Sequence, residues 1–137
     1  MGTLAAIGLP MYQDYIYRAQ VVRAIAEIRM LEKEITVFEL DHSTRPDTLD
    51  EIGFGNFLDP WKHPYQYLSF HNLIKEKDTG HPKGSRKDKH KNPLNWDFDL
   101  YSVGKDGESK QPLQNPASWD DVVRASDGQF VGLASEY

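Results

Sequence analysis

The turn Val103-Gly104-Lys105-Asp106-Gly107-Glu108 and the later pair Asp120-Asp121 carry the strongest potential for chemistry in this sequence. A glycine-flanked turn exposes backbone carbonyls beside the Asp106 carboxylate, and Asp120 and Asp121 offer two more carboxylates within loop reach. Hard cations such as Ca²⁺ take about six to eight oxygen ligands from such groups. The spacing is not that of an EF-hand, because D-x-[DN]-x-[DN]-G is absent. The same residues also have a reading without metal. Asp106-Gly107 is a common turn pair, and Asp120 and Asp121 would be stabilised at a helix N-terminus by free N–H groups and the helix dipole.

Other chemistry is poorly supplied. No G-x-G-x-x-G, G-x-x-x-x-G-K-[ST], G-x-S-x-G or H-E-x-x-H stands in the chain, so the expectation is a protein that is not an enzyme. The histidines are His42, His63, His71, His81 and His90. None pairs at a helical metal-binding spacing, and the last three lie among lysines that would repel a cation. The absence of cysteine removes disulfides, thiolate metal sites and thiol nucleophiles. A net charge of -5 argues against nucleic-acid binding, which needs a basic face.

The 137 residues suffice for one domain with one core. A helix is expected from Met11 to about Leu40, because Val21, Ile25, Ile28, Leu31, Ile35 and Phe38 recur at spacings of three and four. It should end near Asp41 to Ser43, ahead of Pro46. Thr48 to Ile52 suits a single helical turn. Strands are expected at Tyr65 to Phe70, Asp97 to Val103 and Gln129 to Leu133. Ser118-Trp119-Asp120-Asp121 reads as a capping box opening a short helix to about Ala125. Residues 71–95 hold seven lysines and arginines with few apolar residues. They read as a mobile, solvated loop that is dispensable for folding, or as a binding patch. At the N-terminus, Leu4-Ala5-Ala6-Ile7-Gly8-Leu9 is too short to cross a bilayer. It reads as the tail of a longer membrane helix or as an apolar end tucked into the core.

Three stretches resemble one family. Leu4 to Tyr15, LAAIGLPMYQDY, resembles the junction at which the N-terminal helix of pseudopilins and type IV pilins leaves the membrane. Asp59-Pro60-Trp61-Lys62-His63-Pro64-Tyr65-Gln66-Tyr67 is similar to the DPWGNPYxY stretch of G-type, or major, pseudopilins. Asp99 to Gly107, DLYSVGKDG, is similar to their DLYSLGADG. The three occur in the family's order.

The resemblance implies an α+β fold, in which a long N-terminal helix packs on a small antiparallel sheet. Residues 1–41 would be the truncated pilin-type helix and 42–137 the head, with a basic variable loop at 71–95. It implies a structural subunit of a type II secretion pseudopilus, a periplasmic filament that aids protein export; the alternative is a type IV pilin-like subunit that binds surfaces through its basic loop. The partners implied are further copies, other pseudopilins, an inner-membrane assembly platform and the inner membrane itself, with the head in the periplasm. Family members also bind one calcium ion. By position, its ligands here would be the carbonyls of Val103 and Glu108 and the side chain of Asp106. The family's closing acidic pair falls at Leu113-Gln114, so Asp120 and Asp121 serve only if an insertion intervenes.

Overall fold

The computed structural model describes the backbone of residues 2–70 and 81–137, and side chains from Leu9 onward. Helix α1 runs from Gly2 to His42 and passes through Pro10. At 1.5 Å per residue it is roughly 60 Å long. Ala24, Ile28, Leu31 and Ile35 are fully buried, and their spacing of four, three and four stacks them on one face. Val21 and Ile25 are only half-buried at its border. So is Phe38, expected in the core, whose ring stacks on His42 at a centroid distance of 4.0 Å. The helix stops where the sequence places its end. Ser43 adopts φ 61 and its N–H donates to the Glu39 carbonyl at 2.8 Å, a left-handed terminator that satisfies a last-turn acceptor. A 3₁₀ turn follows at Leu49–Ile52, closed by the Thr48 N–H on Glu51 Oε2 at 3.2 Å.

Strands β1 (Gln66–Ser69), β2 (Phe98–Ser102), β3 (Val122–Ala125) and β4 (Phe130–Leu133) form one antiparallel sheet in the order β1-β2-β3-β4. One long helix packed on this sheet makes the expected α+β fold. Phe98, Leu100 and Val122 join the buried face of α1. Val123 and Ala125 point the other way and pack with Leu94, Leu113 and Ala134. The sheet is therefore covered on both faces, which is why Asp99 is as buried as its neighbours Phe98 and Leu100.

Arg124 fastens these layers. Its guanidinium donates to Glu32 Oε2 on α1 at 2.6 Å, and to Asp97 Oδ1 and Oδ2 at 2.7 and 2.8 Å. It also lies 3.9 Å from the Phe98 ring centroid. A two-pronged contact with a carboxylate is what the planar fork of arginine makes best.

Two expectations are corrected. The short helix from Ser118 to Ala125 is absent. A 3₁₀ turn at Pro116–Ser118, capped by Asn115 rather than Ser118, leads directly into β3. Val122 and Val123 bury on opposite faces, which the two-residue period of a strand allows and a helical turn does not. The basic loop is the second. Residues 71–80 lie outside the described residues, but 81–95 are folded onto the sheet, with His81, Pro82, Ser85, Arg86, Leu94 and Asn95 buried. Backbone bonds from Lys87 to Gln111, from Leu113 to Lys87 and from Leu94 to Arg86 hold this segment in place. Removing this segment, expected to be dispensable, would take Ser85 and Arg86 out of the interior. Among the described residues, no helix is long and apolar enough to cross a membrane.

Candidate functional site

The two stretches that carry the head's family resemblance meet at the end of β2. Asp59 is buried. Its Oδ1 accepts the N–H groups of Trp61 and His63, both at 2.9 Å, and its Oδ2 accepts the Ser102 hydroxyl. Ser102 Oγ in turn accepts the Gly104 N–H at 3.0 Å, and His63 Nδ1 lies 3.0 Å from the Gly104 carbonyl oxygen. A buried carboxylate thus organises its own turn and the start of the next one. Such saturation with donors is how an interior acceptor is kept tolerable.

The turn that follows carries the acidic residues. Gly104 has φ 73, and a Cβ there would stand 2.3 Å from the Asp120 carbonyl oxygen. Only glycine permits both the conformation and the approach. The Asp106 N–H donates to Asp120 Oδ2 at 2.9 Å, and the Glu108 N–H donates to Asp106 Oδ1 at 2.9 Å. Asp106, Asp120 and Asp121 each offer a carboxylate oxygen, all within 4.8 Å of one another. The structure therefore brings together three of the five residues expected as ligands. Glu108 is exposed on the turn and its side chain stands outside this group, while Val103 supplies half-buried backbone at the base of the turn.

Asp120 Oδ1 and Asp121 Oδ1 are buried and have no hydrogen-bond partner among the described residues. Burial pushes the Asp121 carboxyl up to about 7; Ser109 and Arg86 pull it down, while Asp120 and Asp106 add to the rise. Asp120 is also raised, first by burial and further by the Asp106 carboxylate. Crowded carboxylates with unfilled acceptor sites fit an oxygen-seeking cation, which would supply the missing countercharge.

Sequence reasoning missed two of the groups around Asp121. Its Oδ2 accepts the Ser109 hydroxyl and also Arg86 Nη2 at 2.8 Å. Nothing distinguishes Arg86 from the other basic residues of its segment in the sequence. The site also borders α1. Gln13, Asp14 and Tyr17 line one side of a shallow groove with Lys105, Asp106 and Asp120 opposite. Trp61 Nε1 donates to Gln20 Oε1 at 3.0 Å and ties the Asp59 turn to the helix.

No family model matches the chain, and no solved structure matches it. Curated proteins do. A fimbrial protein of Pseudomonas aeruginosa is 42 % identical over 60 residues, covering 39 % of this chain and 39 % of that protein. A fimbrial protein of Neisseria meningitidis serogroup A is 37 % identical over 59 residues, covering 43 % and 35 %. A type IV major pilin protein of Neisseria gonorrhoeae is 40 % identical over 56 residues, covering 41 % and 34 %. The match spans about two fifths or less of the length of each of these relatives. In sequence the chain is similar to type IV pilins, and its fold has the architecture which that resemblance implied.

Proposed function

We propose that this chain is a structural subunit of a pilin-like filament, and more finely a G-type pseudopilin of a type II secretion pseudopilus. One observation carries the filament reading: the N-terminal part of α1 turns apolar side chains to solvent. Leu9, Met11, Tyr12 and Tyr15 are 56, 73, 61 and 71 % exposed, and Ile16 and Val22 are exposed beside them. Soluble proteins seldom leave so many large apolar groups together uncovered unless another surface buries them. Copies packed helix against helix would do so, and such a subunit works through packing rather than catalysis. The full-length protein would sit in the inner membrane with its head in the periplasm, and an assembly platform there would add it to the filament. The Asp59 and Asp99 stretches favour the pseudopilin; the fimbrial relatives favour a type IV pilus subunit with an adhesive role.

The cluster of Asp106, Asp120 and Asp121 would hold one Ca²⁺ in this reading, with carbonyls of Val103 and Glu108 as further oxygen donors. When bound, the ion would neutralise the cluster and tie the turn after β2 to the start of β3. The deciding experiment for the function is deletion of the gene in its host. Loss of exported proteins from the medium with surface pili intact is the expected result. Loss of pili with export intact would assign it to a type IV pilus. No effect on either, together with no filaments on overproduction of the full-length protein, would overturn both readings.

A further inference from the structure

We propose that Arg86 is a resident counter-ion of the acidic cluster, so that the head folds around Asp121 with a countercharge of its own and the cation becomes a second, partial stabiliser. The inference rests on the cation reading above and assigns a specific role to a segment that the sequence presents only as basic.

Asp121 is fully buried, and its two oxygens face different partners. Oδ2 receives the Arg86 guanidinium and the Ser109 hydroxyl. Oδ1 is left without a partner among the described residues, next to Asp120 and Asp106. Arg86 is itself only 3 % exposed and is held from several directions. Its N–H donates to Asp99 Oδ2 at 2.6 Å, and its guanidinium lies 4.3 Å from the Tyr101 ring centroid. Its carbonyl accepts the Leu94 N–H at 3.0 Å. A solvated lysine drifting over the surface could not match this. The contact is a buried ion pair between segment 81–95 and the start of β3.

Breaking one side of such a pair strands the other charge in the interior. The guanidinium and a divalent cation both favour the ionised Asp121, but they repel one another across it. Each therefore lessens the need for the other. Without the arginine charge, the empty cluster loses most of its neutralisation, and a cation on Oδ1 gains both affinity and importance.

The test compares thermal melts in millimolar Ca²⁺ and in chelator for the unmodified chain and for Arg86→Met, which keeps the stem and loses the charge. Calcium titration calorimetry accompanies both. Arg86→Met is expected to melt well below the unmodified chain in chelator, to recover by more degrees on adding Ca²⁺, and to bind the ion several-fold more tightly. Arg86→Gln, which keeps a donor for Asp121 without the charge, carries the same comparison if the methionine variant fails to fold. A calcium shift in the variant equal to or smaller than that of the unmodified chain would overturn the proposal while leaving the cation reading intact. A shift in the variant alone would uphold the role of Arg86 and sink calcium binding by the native cluster. No shift in either protein overturns both.

Discussion

Asp99 shows how much a single buried carboxylate can shape the behaviour of the head. It projects from β2 into the face away from α1, where Arg86 N–H and Asn95 Nδ2 donate to it at 2.6 and 3.0 Å. Burial outweighs these bonds and the nearby charges of Arg86 and Arg124, and pushes its carboxyl up to about 6 from an ordinary value of 3.8. The native state therefore binds this proton more tightly than the unfolded chain does. Stability from this group is fully present below its unfolded value and is lost as pH rises through about 6. Asp97 has the opposite sign: the two-pronged contact with Arg124 outweighs burial and lowers its carboxyl, so its contribution is lost only in acid. Melts in chelator between roughly pH 7.5 and 5.5 should show the melting temperature rising as the pH falls. Asp99→Asn should reduce that rise without abolishing it, because burial also pushes the Asp121 carboxyl up to about 7 and its contribution has the same sign. A melting temperature that drops steadily over the same window would show that Asp99 is not held in the interior as described.

Among the elements, α1 carries two different surfaces at neighbouring positions. Ile28 and Ile35 are fully buried against β2 and β3, while Val22 is 65 % exposed. Ile28→Ala should cost roughly 2–5 kcal/mol through lost transfer energy and the cavity left behind. Val22→Ala should stay within about 0.5 kcal/mol, as surface changes do. Denaturant melts giving similar losses for both would refute the assigned face. Glu27 is a poor control, because its carboxylate accepts the Tyr65 hydroxyl at 2.8 Å. The buried face of α1 and strand β2 were legible from regular apolar periods, and β1 and β4 from short aromatic-rich or apolar runs. The third strand was not: Val122-Val123-Arg124-Ala125 follows a serine and two aspartates that signal a helix start as readily as a turn. Only pairing with β2 and β4 decides between them, and that information is long-range.

At the scale of the whole molecule, the site was legible in part for the same reason. Acidic residues announce themselves, so Asp106, Asp120 and Asp121 could be named from the sequence. Arg86 lies 35 positions from Asp121 and could not. The chain as a whole divides its labour along α1. From Gln20 onward the helix serves the head, through Trp61, Tyr65, Arg124 and the buried apolar face. From Leu9 to Ile16 it is exposed along every side, so it adds little to the core. Tyr17 marks the boundary, half-buried with its ring 6.1 Å from Trp61. Removing residues 1–12 leaves a turn of helix ahead of this boundary. The shortened chain should melt within a few degrees of the full one, and any self-association of the full chain seen by sedimentation should be lost. A fall of about 10 °C or more, equivalent to roughly 2 kcal/mol in a domain of this size, would mean that the exposed segment folds back onto the head. Its apolar side chains would then be part of one core, and the filament reading would lose the observation that carries it.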